Sequence, residues 1–335
     1  MAIGISWITE MFSGAIYVDS SDCNEVHFEN PEEFLSCLSV IPFRQKPVWG
    51  SDSRRGGKWL FRGHWDEAWA LKPSAHRNAQ PFYDIGLKKL PERSVVRHDQ
   101  YWPKMVESEV FALRKFMTLA NSSSLPCEFS AEILDEIAEM RKDVQGNYYR
   151  NMEFFPKSKW YPIMARAQHH GMPTRLLDFS SDGLYAAFFA GIRRWNVQDS
   201  EENLEGKLCV WAFFTSDFAD LDSEPDTDTE SKRWLEVPAI SQLGSNLASQ
   251  RGSLILHEGA NNYYSKNGEW PDFFSSSGDG PDPDRKRNFL KLTLDRPKVK
   301  QMLCCLVRHD VTPVRIYPSL DNVTATLKYR SWLSI

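Results

Sequence analysis

Seven polar side chains lie close together in a stretch that otherwise has the composition of buried structure. They are Gln168, His169, His170, Arg175, Asp178, Ser180 and Ser181. Burying a polar group without a partner costs about 2–7 kcal/mol, so the members must either satisfy one another or line a site. One interpretation is a structural network in which Arg175 pairs with Asp178. The other is a functional site, where histidine supplies a general base of suitable intrinsic pKa. The density of polar groups favours the site.

Arg62 is a second candidate group. Residues 58–63 predict a strand, and alternation of side chains along it places Arg62 at the end of an otherwise apolar face. A planar, permanently charged fork in this position suits a phosphate or a carboxylate, and Gly63 leaves the backbone approachable. The alternative is a buried ion pair, for instance between Arg62 and Asp178.

The elements around the polar cluster can be predicted from local signals. Gly171 and Pro173 end a helix, because glycine suits the left-handed position after a helix and proline cannot continue it. Residues 174–180 form a short, mostly apolar run typical of a buried strand. Asp182 can cap the next helix, which is apolar nearly all round from 184 to 192 and should be deeply buried.

The rest of the chain mixes helices and strands without regular alternation. We predict an irregular amino-terminal extension at residues 1–57, packed on a main domain at 58–335 and containing one helix at 31–38, capped by Asn30. Further helices are predicted at 104–119, with Glu109 outside its apolar stripe, after the cap Ser130, at 299–307 and after the cap Ser319. Further strands are predicted at 208–214, 253–257, 289–294 and 313–317, and flexible loops near 217–232 and 275–287. This order predicts the α+β class, with a mixed central sheet and flanking helices.

Composition and motifs exclude several classes of function. The net charge of −5 over 335 residues provides no general field for nucleic acid. Six cysteines without metal-ligand spacing predict a reduced, cytoplasmic setting. We find no convincing signal peptide, and no apolar run of the roughly 18 residues that a membrane helix needs. Glycine-rich phosphate loops and a Gly-x-Ser-x-Gly elbow are absent from the sequence. His169 and His170 are adjacent rather than four apart, so no metal site is predicted.

A family resemblance rests on three motifs. Phe61-Arg62-Gly63, the string Ala167-Gln-His-His-Gly-Met-Pro-Thr-Arg-Leu-Leu-Asp178 and the following Ala-Ala-Phe-Phe-Ala helix resemble the FRG-domain family. Gln250-Arg-Gly252 and the segment 311–321 are similar to later parts of that family, so the resemblance covers most of residues 58–330. It implies an intracellular protein of mostly bacterial or phage origin whose biochemical activity is not generally established, and a role in phage defence or toxicity is one hypothesis.

The order of these motifs also resembles the Arg-Ser-Glu plan of ADP-ribosyltransferases. This resemblance implies that Arg62 binds the phosphate and nicotinamide ribose of NAD, and that Ser180 (or Ser181) supports the site, with Asp178 beside Ser180. Gly63, His169, Arg175 and Ser181 are the further candidates for binding the nucleotide. His170 is a candidate base that activates an acceptor.

The third position of that plan departs from the pattern. Gln250 stands where a catalytic glutamate is expected, and Glu258 lies at the far end of the following strand. An amide can hydrogen-bond a ribose hydroxyl but cannot carry the negative charge that stabilises an oxocarbenium ion. The catalytic candidates are therefore His170, Asp178, Ser180, Gln250 and Glu258.

Three functions remain open at this point. The first is an NAD-dependent ADP-ribosyltransferase or NAD glycohydrolase, with a protein or nucleic acid as acceptor. The second is a non-catalytic module that binds a nucleotide or a protein. The third is a nucleic-acid-processing enzyme that uses His169 and His170.

Overall fold

The computed structural model of the protein describes residues 5–18, 23–39, 58–125, 131–142, 152, 155–196, 204–215, 234–237, 252–274 and 289–335. The strands of this part are β1 (Ala15–Val18), β2 (Asn24–Phe28), β3 (Trp59–His64), β4 (Leu177–Ser180), β5 (Lys207–Phe214), β6 (Trp234–Val237), β7 (Gly252–His257) and β8 (Phe289–Asp295).

Its helices are α1 (Ile5–Met11), α2 (Pro31–Leu38), α3 (Ser74–Arg77), α4 (His98–Ser122), α5 (Ala131–Lys142), α6 (Tyr161–His169), α7 (Gly183–Gly191), α8 (Arg193–Asn196), α9 (Ala260–Asn267), α10 (Val299–Arg308), α11 (Pro313–Ile316) and α12 (Leu320–Leu333). Short 3-10 turns precede α6 and α10, at Ser158–Trp160 and Arg296–Lys298.

The described strands form one mixed sheet in the order β1-β2-β8-β5-β3-β4-β7-β6. Strands β2 and β8 pair in parallel, and every other neighbouring pair is antiparallel. Helices flank this sheet, so the predicted α+β class is confirmed. The register places Phe61 of β3 opposite Ser180 of β4, and Ser180 opposite Gly252 of β7. These three residues form a row across the middle of the sheet.

Alternating side chains divide the sheet between two apolar layers. Phe61 of β3 packs with the buried side chains of α7 and α10. Leu60 faces the other side, where it joins Leu177 and an aromatic cluster that includes Phe213 and Phe273. The predicted alternation along β3 is therefore confirmed. A third apolar cluster is built largely on α4 and α6.

The amino-terminal extension contains more structure than predicted. Its helix at Pro31–Leu38 is confirmed, with the Asn30 side chain accepting a hydrogen bond from the Glu32 amide at 2.8 Å. The prediction of an otherwise irregular segment is wrong, because β1 and β2 lie at one edge of the sheet and β2 pairs with β8. These strands are only four and five residues long, and the strand beside β2 lies at the far end of the chain. Local sequence carries little signal for such a pairing.

The prediction of a strand at 313–317 is also wrong. Residues Pro313–Ile316 form a single helical turn, with Pro313 in its first position. Proline is preorganised for that position, where its missing N–H is not needed. The terminal helix is confirmed, since the Ser319 hydroxyl accepts a hydrogen bond from the Asn322 amide at 3.1 Å.

Other predicted elements lie close to their observed bounds. Strands β5, β7 and β8 and helix α10 are confirmed, while α4 starts six residues before the predicted 104. The predicted loops near 217–232 and 275–287, and the cap Ser130, lie outside the described residues. Within the described part of the chain, none of the helices combines the length and hydropathy needed to cross a bilayer.

Candidate functional site

A cavity of about 250 Å³ opens where the end of α6 meets strands β3, β4 and β7. The polar residues that line it are Arg62, Gln168, His169, Asp178, Ser180 and Ser253, and Tyr317 contributes a phenol. Phe61, Phe179 and Phe189 provide aromatic walls. We call this cavity the Arg62 pocket.

The Arg62 guanidinium is held by two neighbours. Its Nε donates a hydrogen bond to His64 Nε2 at 3.0 Å. Its Nη1 lies 2.8 Å from Asp178 Oδ1 and 2.5 Å from the Asp178 carbonyl oxygen. Burial and the charges of Arg62 and Arg77 lower the pKa of His64 to about 3, so the imidazole stays neutral and accepts this bond. The second terminal nitrogen, Nη2, has no hydrogen-bond partner among the described residues.

Asp178 is the only carboxylate among the described residues lining the Arg62 pocket. Loss of water contact raises the pKa of its carboxyl, but the charge and hydrogen bond of Arg62 outweigh that effect and lower it below the usual value. The group is therefore ionised at neutral pH, and its side chain is 65% exposed. Gln168 Nε2 donates to Oδ1 at 3.4 Å, and the Gln168 amide oxygen accepts a hydrogen bond from the Thr174 hydroxyl.

Ser180 is buried beside Arg62 at the end of β4. Its hydroxyl accepts a hydrogen bond from the Asp182 amide at 3.1 Å, and Asp182 Oδ1 accepts one from the Leu184 amide at 2.9 Å. The predicted cap at Asp182 is therefore confirmed. Ser180 and Asp182 together fix the turn from β4 into α7, which positions the polar end of β4.

Gly63 permits the close packing of α7 on β3. A Cβ atom at this position would lie 1.9 Å from the Ala186 carbonyl oxygen and 2.8 Å from the Ala190 amide nitrogen. Both are backbone atoms of α7, which cannot move aside as a flexible side chain would. Gly63 lines the pocket, but the backbone that approaches it most closely is that of α7.

The adjacent histidines point to different surroundings. His169 ends α6 and lines the Arg62 pocket, while His170 lines a separate cavity and its ring lies 6.2 Å from that of Phe116. Partial burial and the neighbouring His170 lower the pKa of His169, so it is neutral at neutral pH. Only one of the two predicted histidines is therefore placed to act in the pocket.

Residues 57–199 match the family model of the FRG domain. This segment contains Phe61-Arg62-Gly63 and the whole stretch from α6 to α7. The match spans 143 of the 335 residues. No curated protein and no solved structure matches the sequence.

The matched segment supplies the polar residues on which the pocket is built, Arg62, His169, Asp178 and Ser180. The opposite wall, at residues 252–254 and Tyr317, comes from beyond the matched segment. Tyr317 lies at the end of α11, and burial together with the charge of Asp178 raises its pKa. Sequence reasoning placed Tyr317 in a strand and gave it no role in the site.

Arg175, also in the matched segment, lies in the core rather than in the pocket. Its Nε and Nη2 lie 2.8 and 2.7 Å from Glu109 Oε2, and both side chains are fully buried. Its Nη1 donates to the Phe155 carbonyl oxygen at 3.0 Å and to Asn261 Oδ1 at 3.1 Å. The predicted pairing of Arg175 with Asp178 is wrong, and the alternative pairing of Arg62 with Asp178 is confirmed.

The remaining candidates are not brought into the pocket. Ser181 is exposed, and Glu258 follows β7 without lining the cavity. The charge of Glu258 acts instead on Tyr161, where burial and this carboxylate raise the pKa to about 12. Gln250 lies outside the described residues. Among the described residues that line the pocket, Asp178 is thus the carboxylate that could take part in a reaction.

Proposed function

We propose that the Arg62 pocket binds the nicotinamide-ribose end of NAD and transfers the ADP-ribosyl group to an acceptor or to water. The observation that carries this proposal is the convergence of Arg62, Asp178 and Ser180 in one cavity. An arginine fork, an ionised carboxylate and a serine are the groups that the resemblance to ADP-ribosyltransferases requires.

Binding would begin with the phosphate. Arg62 Nη2 has no partner among the described residues, and a guanidinium with an unused donor forms strong, charge-assisted bonds to phosphate. At about 250 Å³ the pocket is somewhat smaller than a typical small-molecule site of roughly 300–1,000 Å³. It therefore suits one half of a dinucleotide, with the nicotinamide ribose inside and the phosphates at the opening. Phe179, Phe189 and Tyr317 would pack against the planar ring.

The chemistry assigned to the pocket is cleavage of a glycosidic bond. The bond between C1′ of the ribose and the nicotinamide nitrogen breaks, and nicotinamide leaves with the electron pair. The ionised Asp178 stabilises the oxocarbenium-like centre that develops at C1′. An acceptor hydroxyl or a water molecule then forms the new C1′–O bond. Its proton passes to His169, which is neutral at neutral pH and lines the same cavity.

A second function is supported by the Arg62–Asp178 ion pair itself. Because Arg62 already neutralises the carboxylate at 2.8 Å, the charge available to stabilise an oxocarbenium ion is reduced. A pocket of this kind can bind a nucleotide without consuming it. The FRG domain would then act as a nucleotide-binding module.

Two measurements on the purified full chain separate these functions. Nicotinamide release from NAD reports turnover, and isothermal titration with ADP-ribose reports binding. If Asp178→Asn lowers turnover at least about 100-fold and still binds ADP-ribose, the enzymatic function is supported. Binding without release of nicotinamide, in the presence of protein and nucleic-acid acceptors, supports the module. Absence of both overturns the assignment of this pocket to NAD.

A further inference from the structure

A second cavity, of about 810 Å³, lies on the other side of the turn that follows α6. It is bounded by the outer face of α4, by the turn near residues 85–87 and by residues 170–172. We call it the α4 groove. It is separate from the Arg62 pocket, and its volume falls within the range of sites for small organic ligands.

The walls of the α4 groove are mainly apolar. Its apolar lining comes from Ile85, Leu87, Phe111, Phe116, Leu119 and Met172. Leu119 is 68% exposed, so this helix presents a large aliphatic side chain to water beside the cavity. A ligand with an apolar body would remove this surface from water, and the favourable free energy would grow with the apolar area buried.

The charges of the α4 groove have one sign. Among the described residues that line it, Arg114 and Lys115 are basic and none is acidic. Lys115 Nζ donates to the carbonyl oxygens of Gly86 at 2.9 Å and Ile85 at 3.4 Å, so its ammonium group is fixed beside the turn. Gly86 takes a positive φ of 75° at this turn, which brings its carbonyl to the lysine. The groove thus combines an apolar wall with a positioned positive charge.

We propose that the α4 groove binds a small amphipathic carboxylate, an acyl or aryl carboxylic acid in its ionised form. The apolar body lies against Phe111, Phe116 and Leu119, and the carboxylate lies near Lys115 and Arg114. This second site goes beyond the NAD proposal and does not depend on it, because no residue of the Arg62 pocket takes part.

The test is isothermal titration of the full chain with decanoate, below the concentration at which it forms micelles. Decylammonium is the matched probe, because it has the same apolar chain and the opposite charge. Saturable binding of decanoate, at least about tenfold tighter than that of decylammonium, is the expected result. Equal affinity for the two probes, or no binding of decanoate, overturns the proposal.

A pair of variants locates the site. Leu119→Asp and Leu119→Lys remove the same exposed side chain, so both should fold like the wild type and lose the same apolar contact. Their affinities for decanoate should differ by about tenfold, with Leu119→Lys the tighter, because only the aspartate repels the carboxylate. Leu320→Asp on α12, at a position 87% exposed and outside the groove lining, should bind as the wild type does. Identical affinities for the two Leu119 variants and the wild type place the carboxylate elsewhere and overturn the site.

Discussion

One nitrogen of Arg62 holds both the side chain and the backbone of Asp178, at 2.8 Å from Oδ1 and 2.5 Å from the carbonyl oxygen. The two residues lie on neighbouring strands whose ladder contains a single pair, Phe61 opposite Ser180. The ion pair therefore strengthens a short strand junction at the position where the pocket opens. It also fixes the orientation of the carboxylate and leaves the other terminal nitrogen of Arg62 for a ligand.

Arg62→Lys tests the geometry of the guanidinium rather than its charge. A lysine keeps the positive charge, but a single ammonium cannot reproduce the bonds to His64 and Asp178 and also present a second donor. We expect the affinity for ADP-ribose to fall by at least about tenfold, which is the effect of losing one charge-assisted hydrogen bond. Titration calorimetry measures this change. Arg97→Lys, at a position 78% exposed and outside the pocket lining, is the control and should bind normally. Unchanged affinity in Arg62→Lys contradicts the role of the fork.

Gly63→Ala tests why the contact between β3 and α7 requires a glycine. The added Cβ would meet the Ala186 carbonyl oxygen at 1.9 Å, so either β3 or α7 must shift. We expect a loss of at least about 3 kcal/mol in the free energy of unfolding, at the upper end of the costs of overpacking. Urea unfolding at neutral pH measures it.

Gly171→Ala provides a matched glycine substitution for comparison. Gly171 has a φ of 86°, and among the described residues no atom outside Gly171 and its two chain neighbours lies within 4 Å of the position that a Cβ would occupy. Its cost is therefore conformational only, about 1–2 kcal/mol, and Gly171→Asn should cost less because asparagine tolerates this region. If Gly63→Ala proves as mild as Gly171→Ala, the backbone contact between β3 and α7 does not limit packing.

The local signals in the central stretch were sufficient to predict its fold. Gly171 takes the left-handed conformation expected after a helix, Asp182 caps α7, and β4 ends at Ser180. These features depend on residues within a few positions of one another. The same is true of the alternation that placed Arg62 on its strand face. Arg62, Asp178, Ser180 and His169 line one cavity, whereas the candidates His170, Arg175 and Glu258 do not.

Contacts between distant segments were harder to predict. Glu109 was assigned to an outer face of its helix, yet the structure buries it completely against Arg175, which lies 66 residues later. The sequence did contain an indication that Glu109 is buried, because it directly precedes the buried Val110 and lies about one helical turn after Val106. A charge is normally excluded from such a face, and only a partner of opposite charge makes it acceptable. That partner cannot be read from α4 alone.

Glu109→Gln tests this buried ion pair. Removing one charge leaves the Arg175 guanidinium uncompensated in the core, at a cost of about 3–5 kcal/mol. Arg175→Met should cost a similar amount, because it leaves the Glu109 carboxylate unpaired. The double variant Glu109→Gln with Arg175→Met should lose less than the two single changes together, since no charge remains buried. Urea unfolding of the four proteins measures the coupling, and simple additivity would contradict the pairing.

His257→Phe tests whether a buried neutral histidine makes the fold sensitive to acid. His257 is 2% exposed, its ring packs at 4.9 Å against that of Trp234, and neither ring nitrogen has a hydrogen-bond partner among the described residues. Burial lowers the pKa of His257 from 6.5 to about 4. The unfolded chain therefore binds a proton between pH 6.5 and 4 that the folded protein does not. Stability is complete above pH 6.5 and falls as the pH decreases through this window.

The slope from this one group approaches about 1.4 kcal/mol per pH unit in the middle of the window. His257→Phe removes it while keeping the edge-to-face contact with Trp234, so the variant should be at least as stable at pH 7 and lose less stability by pH 5. His64, whose pKa is lowered to about 3, continues to contribute a residual slope. His257→Gln separates the loss of the titrating group from the loss of the aromatic contact with Trp234. Its stability should change as little with pH as that of His257→Phe, but it should be lower at pH 7, because a buried amide without partners is costly. Urea unfolding at half-unit steps from pH 4.5 to 7.5 measures the profile, and parallel profiles for His257→Phe and the wild type would show that His257 is not the group responsible.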